Sequence, residues 1–246
     1  MRHRYRAWTI VAAGAIFCTD PAAAQGQAQA QGQDVWQYEV SPYLWAAGVD
    51  GTTRVGTLSV NSSQSFSDLL SEIDIGLMGA FEARKGRWGI VFDSIYLKLS
   101  SDAKTANGTV NVKLVQQLYA LGAAWRMVEG EAPIDLIAGM RYNYLKPRLE
   151  LGGASVEQRK DALDPYIGVR GSYPLDARWS LIGYLDVGTY SGSDYAWQML
   201  AGASYAWQQD RSIKFGYRRF QTKYSNNALE VDTTMQGLYF GAGFRF

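Results

Sequence analysis

A chain of 246 residues that is 47% hydrophobic, 19% charged and 13% aromatic, with 26 glycines, is neither a disordered segment nor collagen nor a helical membrane bundle. Lys plus Arg number 24 against 23 Asp plus Glu, so there is no cationic surplus to drive sequence-independent binding of nucleic acid. The single His3 and the single Cys18 both fall within the first 24 residues, whose removal would leave no thiol, imidazole or disulfide.

Those 24 residues have the layout of an export signal. Arg2, Arg4 and Arg6 make a positive start, and Ala7 to Cys18 give an apolar stretch too short to span a bilayer. Ala22 to Ala24 then supply the small side chains that a signal peptidase groove accepts, which predicts cleavage before Gln25. Phe17 stands where a lipoprotein site at Cys18 would need a small residue. Cleavage takes away three Arg and one Asp and leaves a formal charge near −1. Residues 25–34 begin with QGQAQAQGQ, which is uncharged and cannot bury anything, so they are expected to form a flexible periplasmic tether.

From residue 35 onward no apolar run approaches the length of a membrane helix, and a period of two dominates. Ten strands are predicted, at 35–49, 75–84, 87–99, 110–127, 133–149, 164–174, 178–190, 195–208, 211–224 and 234–246. In the last of these, Leu238, Phe240, Ala242, Phe244 and Phe246 share one face, and Gly237, Tyr239, Gly241, Gly243 and Arg245 share the other. The segments at 178–190 and 195–208 split in the same way. Each is long enough for the ~9 to 11 residues that a tilted strand needs to cross hydrocarbon.

The connections alternate in length. Those at 85–86, 128–132, 175–177 and 209–210 are short, whereas 50–74, 100–109, 150–163, 191–194 and 225–233 are mostly longer and rich in Gly, Ser, Asn and Asp. Trp36, Trp88, Trp125, Trp179 and Trp207 all lie at the short-turn ends, as an interfacial girdle on the periplasmic side requires. Tyr96, Tyr142, Tyr144, Trp197 and Tyr217 would form the second girdle. A soluble barrel or sandwich would show the same alternation with its apolar stripe turned inward. The girdle, the strand lengths and the chain end favour a closed, antiparallel, all-β transmembrane barrel of about ten strands, with eight to twelve compatible.

Charges segregate onto the opposite face. Glu39, Glu82, Asp93, Asp135 and Asp186, with Arg84, Arg126, Arg141, Arg170, Lys214, Arg218 and Arg245, share the parity that would face the lumen. A basic side chain on the lipid face at midplane costs ~2 to 4 kcal/mol. Within a narrow barrel these groups are expected to form a network of ion pairs, with Tyr43, Trp45, Tyr166, Tyr184 and Tyr239 narrowing the space further. Three local expectations follow. Pro42 lacks the ladder donor, and a bulge in the first strand would accommodate it. Phe66, Leu69, Leu70 and Ile73 recur at helical spacing and predict a short amphipathic helix in the first long loop. The run Arg218, Arg219, Phe220 breaks the alternation of its strand, which should leave the hydrocarbon after Tyr217.

The terminal GAGFRF, with Phe246, Phe244 and Phe240 in step, resembles the C-terminal assembly signal of bacterial outer-membrane barrels. SPYLW at Ser41 to Trp45, GAFEARKGRWG at Gly79 to Gly89, LDPYIGVRG at Leu163 to Gly171 and FGYRR at Phe215 to Arg219 are similar to the group of small OmpA/OmpW-like barrels of Gram-negative bacteria. The resemblance spans nearly the whole mature chain. It implies residence in the outer membrane, contact with its lipid and recognition by the barrel-assembly machinery. It does not imply an activity.

No phosphate loop or GxSxG motif is present, and no metal or cofactor site is expected. Outer-membrane enzymes that work through a catalytic His, such as the omptin proteases, barrel phospholipases and lipid A deacylases, have no counterpart for that group in the mature chain. The expected function is therefore that of a structural or interaction barrel rather than an enzyme, with no catalytic residue. The alternative is a small-solute channel.

Overall fold

The computed structural model describes residues 35–55, 58–105, 108–151, 154–157, 159–190, 194–225 and 229–246. The expected export signal, residues 1–24, and the expected tether, residues 25–34, lie outside them. The chain forms β1 (Gln37–Val55), β2 (Leu58–Gln64), α1 (Phe66–Leu70), β3 (Ile73–Lys85), β4 (Trp88–Thr105), β5 (Gly108–Val128) and β6 (Ile134–Leu151). It continues through β7 (Ala154–Glu157), β8 (Lys160–Pro174), β9 (Trp179–Tyr190), β10 (Asp194–Gln208), β11 (Arg211–Ser225) and β12 (Leu229–Arg245). Ten of these strands pair in the antiparallel ring β1, β3, β4, β5, β6, β8, β9, β10, β11, β12, which β12 closes onto β1. β2 and β7 are additions, paired to β1 and β6 alone among the described residues. Closure gives every interior strand two partners, the condition for a sheet without water-facing edges.

Alternation sets which side faces where. Leu121, Ile167, Leu185, Val187, Leu238 and Phe240 stand exposed on the outer surface, while Arg141, Asp186, Lys214 and Arg218 on the opposite parity are buried inside. A water-soluble protein does the reverse, and a continuous apolar belt of this kind marks a lipid or protein contact. The five girdle tryptophans are all exposed at the short-turn end. Trp88 and Trp125 are direct register partners, and Trp179 lies 4.9 Å from Tyr205, ring to ring. At the other end Tyr217 is exposed and Tyr96, Tyr142, Tyr144 and Trp197 are half-buried.

The tight turns follow from local chemistry. Gly86, at φ 57°, supplies the left-handed residue that a two-residue hairpin between β3 and β4 requires. Between β8 and β9, Asp176 Oδ1 accepts the backbone N–H of Arg178 at 2.7 Å and that of Trp179 at 2.9 Å. These two donors, Arg178 first, hold the Asp176 carboxyl below the ordinary carboxylate range.

The structure departs from the sequence expectations in several places. Much of the long connections is strand: β1 runs to Val55 and returns as β2, β4 and β5 pair out to Thr105↔Gly108, β6 turns back as β7, and β11 and β12 pair out to Ser225↔Glu230. These extensions are rich in Ser, Thr and Asn and carry little apolar period, yet the ladder still satisfies their backbone groups. The predicted helix shrinks to the five residues of α1, and Ile73 opens β3 instead. Ser65 and Asp68 cap α1 reciprocally: Ser65 N–H donates to Asp68 Oδ2 at 3.1 Å and Asp68 N–H to Ser65 Oγ at 3.3 Å.

Pro42 causes no bulge. The β1 register to β12 is the same before and after it, from Val40↔Phe244 to Tyr43↔Gly241, with Ser41 and Pro42 omitted from the ladder. Register shifts occur instead at Ile73/Ile75, Arg126/Val128 and Ala206/Gln208. Alternation in β11 also survives Tyr217: Arg218 and Phe220 are buried inside, and Arg219 stays on the outer parity, its guanidinium 5.7 Å from the Trp197 ring.

Candidate functional site: the lumen

Side chains fill the lumen in layers. Nearest the short turns, Asp135 gathers three arginines: Arg84 Nη2 at 2.6 Å, Arg126 Nε at 2.9 Å and Arg170 Nε at 2.9 Å. Arg170 Nη2 also donates to Glu82 Oε1 at 2.8 Å, as does Arg84 Nε at 2.8 Å. Beside this cluster Glu39 accepts from Lys214 Nζ at 2.5 Å, Arg245 Nε at 2.9 Å and Ser41 Oγ at 2.9 Å. Shared carboxylates and forked guanidinium groups leave few charges unopposed, the condition under which buried ions are tolerable.

A second layer crosses the middle. Arg141 Nη2 donates to Asp186 Oδ2 at 2.7 Å, and the same oxygen accepts from Tyr184 Oη at 2.7 Å and Gln198 Nε2 at 3.3 Å. Arg218 Nη2 donates to Gln198 Oε1 at 2.8 Å, and its guanidinium lies 4.5 Å from the centre of the Trp45 ring. Asp93 accepts the Tyr43 hydroxyl at 3.2 Å. Ala47, Val49, Ile95, Leu118, Leu200, Phe220 and Met235 belong to one apolar cluster that packs among these groups, and Gln116, Asn143, Thr222 and Thr233 are buried with them.

All nine of the charged residues singled out from the sequence, Glu39, Glu82, Asp93, Asp135, Arg141, Arg170, Asp186, Lys214 and Arg218, lie inside the barrel, each at most 4% exposed. They do not form one cluster. Glu82, Asp135 and Arg170 meet in the lower layer with the Glu39–Lys214 pair beside them, and Arg141, Asp186, Arg218 and Asp93 lie in the middle one. Sequence reasoning turned Tyr184 inward without placing it in the network, and it missed Gln198 and Ser41 as members and also the buried Asp164. Asp164 shares its parity with Tyr166 and Arg170, which was the available signal. At the chain end Phe246 and Tyr38 exchange both backbone hydrogen bonds at 3.0 Å, so the terminal residue completes the seam between β12 and β1. Phe240, Phe244 and Phe246 all face outward.

No family model matches the chain, and no curated protein matches it. Among solved structures it is similar to the outer-membrane protease OmpT of Escherichia coli, at 11% identity and TM-score 0.58, over 87% of this chain and 97% of that one. The transport unit of the autotransporter AIDA-I, also from Escherichia coli, matches at 10% identity and TM-score 0.46 over 94% of each chain. Ail of Yersinia pestis matches at 12% identity and TM-score 0.40, over 87% of this chain and 99% of that one. At such identities the likeness to OmpT establishes the fold alone, that of an outer-membrane β-barrel.

Proposed function

We propose that this chain is an integral outer-membrane barrel of structural or interaction type, with an interior closed to solutes and no catalytic role. In this reading it is exported by a leader cleaved after Ala24. The assembly machinery then inserts it by way of Phe246, Phe244 and Phe240, and membrane lipid surrounds its apolar belt. The paired hairpins beyond the upper girdle are what it offers to partners outside the cell.

One observation carries the closed interior: Arg141, Asp186, Gln198 and Lys214, which stand across the lumen in two layers, are each at most 1% exposed. A ten-stranded ring has little room to begin with, since about eight strands are just filled by side chains and an aqueous channel comes with 16 to 18. A small-solute channel is the second reading. In its favour Asp93 Oδ2, Gln116 Nε2 and Asn143 Nδ2 are buried with no protein partner, so water must reach or reside beside them.

Planar-bilayer recording separates the two. The full chain, reconstituted at neutral pH, is expected to give no reproducible single-channel steps. Steady conductance whose ion selectivity changes in Asp186→Asn would replace the closed reading with the channel.

A further inference from the structure

The barrel wall has one weak seam. The β1–β3 ladder runs from Gln37↔Arg84 only to Pro42↔Gly79, the shortest in the ring. Above that point β1 exchanges partners and pairs with β2 from Val49↔Gln64 upward, while β3 continues alone on that side to Ile73. Proline removes the donor at the last shared position, and a register shift against β4 at Ile73/Ile75 marks the upper end of β3. Between β1 residues 43–48 and β3 residues 73–78 a slot remains. Its floor is Pro42 and Gly79, and its roof is the entry to α1, where Gln64 O lies 3.1 Å and Phe66 N 3.7 Å from a methyl group placed on Gly48.

Two observations show that this space is not packed shut. A methyl group placed on Gly76 would find only Leu97 Cδ2 at 3.4 Å and Ile73 Cγ2 at 3.6 Å within 4 Å, both on the β3–β4 side and nothing from β1. Met78 and Leu97 point inward against the apolar cluster yet are only partly buried, whereas Ile95 and Leu99, on the same face of β4, are 1% and 6% exposed. Met78 itself reaches across, the Trp45 backbone N–H donating to its Sδ at 3.4 Å, so the thioether is what an entering chain would meet.

Chemistry selects the occupant. The outer rim is Leu44, Ile75 and Leu77, 49%, 45% and 66% exposed, and the register of the lower ladder, continued upward, sets Leu44 opposite Leu77. The inner wall is Met78 and Leu97, backed by the apolar cluster of the lumen. The charges on the loop side, Lys98 and Asp74 at 3.6 Å, are paired with each other, and those on the lumen side, Asp93 and Arg218, are held by Tyr43 and Trp45. Leu77 is the register partner of the girdle residue Tyr96, so the slot opens where the apolar belt meets the headgroup region.

We infer that the slot between β1 and β3 is a docking site for the acyl chain of a membrane lipid, which inserts past Leu44 and Leu77 and lies on Met78. The flexible, polarisable thioether suits an irregular hydrocarbon guest. The inference rests on the membrane-barrel reading, because only in a bilayer is that surface bathed in hydrocarbon.

The test places a small diazirine amino acid at Met78, at Ile137 or at Leu121 in the full chain, reconstituted in vesicles of isotopically labelled phosphatidylcholine. Leu121 faces outward in mid-strand and reports ordinary lipid contact; Ile137, on β6 away from the slot, is fully buried on the inner face. After illumination, Met78 is expected to give acyl-chain adducts as Leu121 does, and Ile137 none. Closing the slot with a Leu44→Cys, Leu77→Cys disulfide should abolish the Met78 adduct, and reduction should restore it. If that pair does not oxidise, Gly76→Phe fills the same space and should cause the same loss. Absence of a Met78 adduct while Leu121 reacts would overturn the inference, as would an adduct that persists with the slot closed. Absence of adducts at Leu121 as well would instead remove the membrane-barrel reading beneath it.

Discussion

Arg170→Met is expected to lower the unfolding free energy of the barrel by about 3 to 5 kcal/mol, the usual consequence of removing one partner from a buried ion pair. Arg170 is 3% exposed and its guanidinium bridges Asp135 at 2.9 Å and Glu82 at 2.8 Å, so the substitution leaves two interior carboxylates short of compensation. Arg84 remains on both acids and Arg126 on Asp135, which limits the damage. Urea titration of folded protein in lipid vesicles measures the effect. Combining Arg170→Met with Glu82→Gln should recover part of the loss, because the orphaned charge is removed with its partner. An unshifted midpoint for the single variant would mean that the lower layer contributes nothing net.

Gly139→Val should also destabilise the barrel, for a steric reason. A methyl group on Gly139 would lie 2.5 Å from Tyr166 Oη and 2.7 Å from the Cα of Gly122, and would run into the Leu121 carbonyl as well. Tyr166 lies across Gly139 and its register partner Gly122 on the inner face of β5 and β6, an approach open only to residues without a side chain. Overpacking of this kind typically costs about 1 to 3 kcal/mol and more where backbone is struck. The fraction of protein that keeps its compact mobility on unheated detergent gels should fall sharply. Tyr166→Ala in the same chain should restore only part of it, since the carbonyl clash remains. Wild-type mobility and wild-type midpoint in Gly139→Val would show that the tyrosine does not lie where it is described.

The barrel itself could be read from the sequence because lipid is an unusually simple solvent. Leu181, Leu185 and Val187 against Ser180, Tyr184 and Asp186 in β9 form a strict two-residue alternation, and a bilayer tolerates no exception at its centre. The hairpins beyond the membrane are different. Thr52 and Asn61 pair across β1 and β2 with water available to both faces, so no hydrophobic period records that they are strand.

The composition of the lumen was legible and its wiring was not. Inward parity selected Glu39 and Lys214, yet these are 175 residues apart in the chain, and Glu82 and Arg170 are separated by 88. Which inward charges meet depends on the stagger of the strands around the ring, a property of the closed sheet rather than of any one segment. The partner exchange of β1 was hidden for a related reason. Pro42 could be seen to disturb pairing, but a gap in the ladder and a bulge satisfy proline equally well, and the constant register of β12 on the other side chose the gap.

Which medium touches the apolar belt is measured directly by tryptophan fluorescence in bilayers. With the protein in vesicles whose lipids carry bromine along the acyl chain, emission from Trp36, Trp88, Trp125, Trp179 and Trp207 should be strongly quenched. Bromine placed near the glycerol backbone should act more strongly than bromine near the chain end, because indole prefers the interface. Emission untouched by either lipid, but fully quenched by iodide in the aqueous phase, would contradict lipid contact at the belt.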